Sequence, residues 1–67
     1  MTVAKVIEIN AESRVSFEDA IQQGITRASD SVHNIRGAWI KEQKVVVSGG
    51  DITEYRVDMK VTFVMKD

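Results

Sequence analysis

The stretch IRGAWIKEQKVVVSGGDITEYRVDMKVTFVM, residues 35–65, decides the fold. At its centre Ser48-Gly49-Gly50-Asp51 reads as a tight turn, because adjacent glycines supply the positive backbone angles that a two-residue hairpin loop requires. The flanking arms are rich in valine, isoleucine and aromatic residues, the composition of strands. Pairing through that turn sets Val47 opposite Ile52, Gln43 opposite Arg56, Lys41 opposite Asp58 and Trp39 opposite Lys60. Ala38, Ile40 and Val46 then share an apolar face with Tyr55, Val57, Met59, Val61 and Phe63. The other face carries Trp39, Lys41, Gln43, Arg56, Asp58 and Lys60, and a polar face holding the only tryptophan is where function is expected.

Working toward the N-terminus, residues 3–10 are rich in β-branched side chains and predict a strand, followed by a polar connection over 11–15. Ser16-Phe17-Glu18-Asp19 has the spacing of a capping box, with aspartate in the place of the preferred glutamate. Phe17, Ala20, Ile21, Ile25, Ala28 and Val32 recur at helical spacing, which predicts a helix over 17–33. Gly24 costs about 1 kcal/mol against alanine in a helix interior, and close packing against a strand is a reason to keep it. Asn34 suits a left-handed turn after the helix. The result is a single α+β domain over 1–67 with the order β-α-β-β. Its three-stranded antiparallel sheet, order 1-3-2, curls around one helix.

Composition narrows the function classes. A domain of 67 residues buries only about 60% of its unfolded surface, so a lone core is marginal. The chain has no cysteine and one histidine, which removes disulfides, thiolate metal sites and histidine-rich metal sites as staples. Self-association is the remaining route to stability. Nine basic and ten acidic residues give a net charge of −1, which offers no basic footprint for nucleic acid and no polybasic membrane signal. The opening Met1-Thr2-Val3-Ala4-Lys5 lacks the apolar run of a secretory signal, and a cytoplasmic location is expected. The chain shows no nucleophile–base pair and no phosphate-cradling loop, and Gly49-Gly50 lies in a hairpin rather than before a helix; an enzyme is not expected.

Length points the same way. A helix over 17–33 is about 25 Å long, whereas hairpin arms of about thirteen residues extend about 43 Å. The tip, with Val45, Val46 and Val47, overhangs the helix and is apolar on both faces. A neighbouring subunit is expected to cover it.

These features together resemble the dodecins. The resemblance rests on Val-Ile-Glu-Ile at residues 6–9, Ser16-Phe17-Glu18-Asp19-Ala20, Arg27-Ala28-Ser29, Asn34-Ile35-Arg36 and Met59-Lys60-Val61-Thr62-Phe63, in that order over nearly the whole chain. It implies a hollow homododecamer that binds flavin (riboflavin or FMN) without turnover, for storage or sequestration, the flavins stacking on tryptophans at subunit contacts. The family's stacking tryptophan would fall at Gly37 here, with Trp39 on the same face but about 7 Å further along the strand. Its flavin-edge glutamine is matched by Arg56. The resemblance therefore implies a variant flavin site of Gly37, Trp39, Gln43 and Arg56. The alternative is a flavin-free shell with a structural, cation-binding or other small-molecule role.

Each of these residues also has a plainer reading. Trp39 stacks on a planar ligand, or covers a seam between subunits with Lys60 over its ring. Gly37 makes room for a ligand, or eases the chain from helix to strand. Arg56 donates to a carbonyl edge or phosphate, or pairs with Gln43 and a neighbour's acid. Lys41 opposite Asp58 reads most simply as a cross-strand ion pair, and no loop has a calcium-binding spacing.

Overall fold

A computed structural model describes residues 3–65. The elements are β1 (Val3–Ser13), α1 (Phe17–Ser29), β2 (Ile35–Ser48) and β3 (Asp51–Met65). The sheet order is β1-β3-β2 with both pairings antiparallel, as expected. No helix among the described residues is long and apolar enough to cross a membrane.

The Gly49-Gly50 turn forms with φ of 59° and 85°, angles that a side chain at either position would strain. At the start of α1, the Ser16 hydroxyl accepts the Asp19 N–H at 3.0 Å, satisfying one of the helix's orphan donors. The Asp19 carboxylate instead turns to β1, accepting the hydroxyl of buried Ser13 at 2.5 Å. That bond explains why β1 runs three residues past the expected Asn10 to Ser13: the residues read as a connection are tied to the helix.

The helix ends at Ser29, four residues short of the expected end at His33. Ser29 Oγ donates to the Ile25 carbonyl at 2.8 Å, and the N–H groups of Ser31 and Val32 both turn back to the Ala28 carbonyl. The polar Ser29-Asp30-Ser31 run thus offers the backbone alternatives to further helix. Asn34 does adopt the left-handed conformation, φ 64°, but at the entry to β2 rather than as a helix cap.

Ala20, Val57, Met59 and Val61 form the buried core, three of the four from the central strand. Ile7, Ile9, Ala11, Phe17, Ile21, Ile25, Ile35 and Ile40 pack around them. Gly24 lies where the helix meets the sheet, its missing Cβ directed at Met59 and 3.1 Å from Ala11 Cβ. A helix of 13 residues covers about 20 Å of a body 52 Å long. The hairpin tip therefore overhangs the helix, with Val47 and Ile52 each more than half exposed.

The hairpin register departs from the expectation in its middle. Val47↔Ile52 and Trp39↔Lys60 pair as predicted, but Gln43 lies opposite Val57, Lys44 opposite Arg56 and Glu42 opposite Asp58. Two β-bulges are the cause. Thr53 is an extra residue in β3 and Lys41 an extra residue in β2, and each displaces the ladder by one. Between them every side chain pairs one step out; the original register returns from Ile40 to Gly37, and a further irregularity at Arg36 sets Ile35 opposite Phe63. Because a slip of one exchanges faces, Val45 opposite Tyr55, not Val46, belongs to the helix-side face.

Candidate functional site

The sheet surface away from the helix is built as rows across three strands. Register places Val6, Thr62 and Gly37 in one row, then Glu8, Lys60 and Trp39, then Asn10, Asp58 and Glu42, then Glu12, Arg56 and Lys44. Two of the sequence-predicted residues, Gly37 and Trp39, lie in adjacent rows at one end. Trp39 is 66% exposed, with Lys60 Nζ 5.7 Å from its ring centroid, a cation–π distance. A Cβ on Gly37 would meet nothing within 4 Å, so the space beside the indole is open.

Arg56 shares this face but stands two rows away, about 13 Å along the strand from Lys60. Its guanidinium is engaged: Nε donates to Glu12 Oε2 at 3.1 Å and Nη2 to Glu54 Oε1 at 3.3 Å. Gln43, paired with Val57 by the Lys41 bulge, joins the helix-side face instead. The chain therefore brings together Gly37 and Trp39, sets Arg56 apart, and does not place Gln43 with Arg56.

Sequence reasoning placed Asp58 on this face but not the acids that surround it. Lys41 was expected to pair with Asp58; its Nζ lies 3.5 Å from Glu8 Oε2. Asp58 faces Glu42 across one ladder and lies diagonally from Glu8 across the other. Asp58 Oδ1 is buried without a hydrogen-bond partner. Burial, reinforced by a hydrogen bond to Glu8 and the charge of Glu8, pushes the Asp58 carboxyl above its ordinary value. The Glu8 carboxyl is lowered, first by the hydrogen bond from Asp58 and then by the Lys41 charge. Glu54 is lowered as well, chiefly by a hydrogen bond with Glu12 and further by Arg56. The available signal was Glu8 of the first strand near Asp58 of the third, but the bulge that brings Glu42 to Asp58 leaves no mark in the sequence.

The Dodecin family profile matches residues 3–66. Calcium dodecin of Mycobacterium tuberculosis is 45% identical over 67 residues, covering 98% of this chain and 93% of that protein. The chain belongs to the dodecin family. Among solved dodecins, that of Streptomyces davaonensis superposes with a TM-score of 0.92 at 30% identity, covering 98% of this chain and 97% of its own. A crystal structure of M. tuberculosis calcium dodecin, described as having a novel calcium-binding site, superposes with a TM-score of 0.81 at 42% identity over 96% of this chain and 91% of that one. The dodecin fold accounts for the element order, the sheet order and the length of the hairpin together.

Proposed function

We propose that this dodecin is a non-catalytic binding protein that works as a closed homo-oligomer, a dodecamer as the family resemblance implies, in the cytoplasm. Its ligand is a divalent cation rather than a flavin. The observation that carries this reading is the state of the two flavin-contact positions: Gly37 presents no ring, and Arg56 is held between Glu12 and Glu54. The relative at 45% identity is named for calcium, which supports the cation. Among the described residues of one chain, no group of three or more His, Cys, Asp or Glu side chains is placed to hold a metal. Calcium takes six to eight oxygen ligands, so a site here draws on further copies, backbone carbonyls or water, and binding depends on assembly. Assembly is supported by a core of four buried hydrophobic residues and by the exposed apolar tip.

Calorimetric titration of the assembled protein with calcium chloride tests this. Saturable heat in the oligomer, absent on dilution to the monomer, is the expected result; no heat above the buffer control overturns the cation reading.

A second reading keeps a planar aromatic ligand on Trp39, and the observation favouring it is the exposed indole beside the open space at Gly37. Arg56 would have to leave its two acids, or be supplied by a neighbouring copy, to reach such a ligand. Quenching of riboflavin fluorescence on adding protein would establish this reading, and unchanged fluorescence would remove it.

A further inference from the structure

The middle of the open face has a charge problem that the rest of the face does not. Glu12 and Glu54 flank Arg56 and are both paired to it. One row on, Asp58 of the central strand pairs with Asn10 of β1 and Glu42 of β2, with Glu8 of β1 on the diagonal. The one cation bonded within this group, Lys41, is bonded to Glu8. Lys60 stands over the Trp39 ring and directly opposite Glu8, not Asp58, and Arg56 is bonded to its two acids. Lys44 faces Arg56 in the next row. Asp58 Oδ1 is thus left buried with no donor, an arrangement that costs free energy for a charged carboxylate.

We propose that Asp58 and Glu8 share one proton across the β1–β3 seam, and that release of this proton loosens the seam, making it a pH-sensitive joint. With the proton on Asp58, its O–H donates to the Glu8 carboxylate while Glu8 keeps its Lys41 partner. On release, the proton goes to solvent and Asp58 becomes an anion close to two others, Glu42 across the β2 ladder and Glu8 on the β1 diagonal.

The direction of the effect follows from linkage. The Asp58 carboxyl is raised above its ordinary 3.8 by burial first and by Glu8 next. Over the interval between the ordinary and raised values the folded chain holds more protons than the unfolded one. Its contribution to stability is full below the ordinary value and is lost as pH rises through the raised one. Coupled groups titrate as a pair, so the Glu8 and Asp58 signals should each respond to both steps.

Carbon-detected NMR titration of the side-chain carboxyls, on the intact assembled protein, tests the proposal. The expected result is an Asp58 midpoint above that of ordinary aspartates and a Glu8 midpoint below that of ordinary glutamates, each curve showing two steps. An Asp58 midpoint at or below the ordinary value overturns it. Hydrogen exchange gives a second readout: β1 amides facing β3 should exchange faster above the Asp58 midpoint in the wild type, and Asp58→Asn should abolish that acceleration beyond the intrinsic pH effect. Acceleration that persists in Asp58→Asn overturns the proposal even if the titration curves agree.

Discussion

Gly24 and Met59 meet at the closest approach of helix and sheet, where a single added carbon on Gly24 would overlap the Met59 methyl group. Met59 is fully buried, so its flexible end must shift within the core to admit that carbon, and Ala11 Cβ bounds the other side. Overpacking of this kind costs about 1–3 kcal/mol, against which alanine restores about 1 kcal/mol of helix propensity. Gly24→Ala should therefore destabilise the protein by up to about 2 kcal/mol. Denaturant midpoints at one fixed protomer concentration check this, since the stability of an oligomer depends on concentration. A stabilised variant would mean that the helix can lift from the sheet without loss.

Ser16 offers a cleaner local test. Its hydroxyl caps the Asp19 N–H, and Ser16→Ala should cost about 1 kcal/mol. Ser16→Asp should recover most of that loss, because the carboxylate keeps the acceptor and suits the helix dipole. Equal midpoints for all three proteins would show that the cap carries no weight.

The acid side of the stability profile has a different owner. Glu54 is lowered below its ordinary 4.5, chiefly through Glu12 and further through Arg56. A depressed carboxylate contributes stability above its ordinary value and loses it as pH falls through the lowered one. Glu54→Gln should reduce this acid limb, leaving the share that belongs to the lowered Glu8, and should leave the decline toward higher pH, assigned to Asp58, in place. Denaturant midpoints measured from pH 3 to 8 separate the two, and an unchanged acid limb in Glu54→Gln would remove Glu54 as its source.

At the tip of the hairpin, Val47 and Ile52 are directly paired and 57% and 52% exposed. If a neighbouring copy covers them, placing two ammonium groups there with Val47→Lys and Ile52→Lys should break the assembly. Light scattering at micromolar concentration should then report a several-fold smaller mass than the wild type. An unchanged mass would take the tip out of the subunit contact.

Gly37 tests whether the flavin contact can be rebuilt. The space around its Cβ position is open, and its backbone is not among the positive-φ glycines, so a side chain can start from this position without backbone strain. Gly37→Trp should bring riboflavin quenching at least tenfold stronger than the wild type. Equal quenching in both proteins would mean that the pocket itself has moved.

The architecture was legible because several residues each allow one reading. Gly49-Gly50 admits only a tight turn, Ser16 stands at capping distance from Asp19, and the apolar stripe from Phe17 fits only a helix. The bulges were not legible, and the reason is physical. Val45, Val46 and Val47 are alike, so the segment satisfies either face and its alternation cannot report a slip of one. Glu42, Gln43 and Lys44 are all polar and equally silent. The site suffered accordingly: Gly37 and Trp39 lie outside the slipped segment and stayed on the expected face, while Gln43, inside it, did not. The helix end was overestimated because Val32 continues the apolar stripe, though the serines before it divert the backbone.

Lys41 gives the hairpin one more property. As the extra residue of its bulge it has no partner in the ladder, whereas Ile40 and Glu42 on either side pair with Met59 and Asp58. Strand interiors ordinarily tolerate no change of length, because removing one residue inverts everything that follows. Here the chain carries a spare position in mid-strand. Its removal would leave Trp39 opposite Lys60 and Glu42 opposite Asp58, and would take away only the ammonium group that reaches Glu8. The charge of the open face can thus be altered by a single-codon deletion as readily as by a substitution, at a place where a deletion would otherwise destroy the sheet.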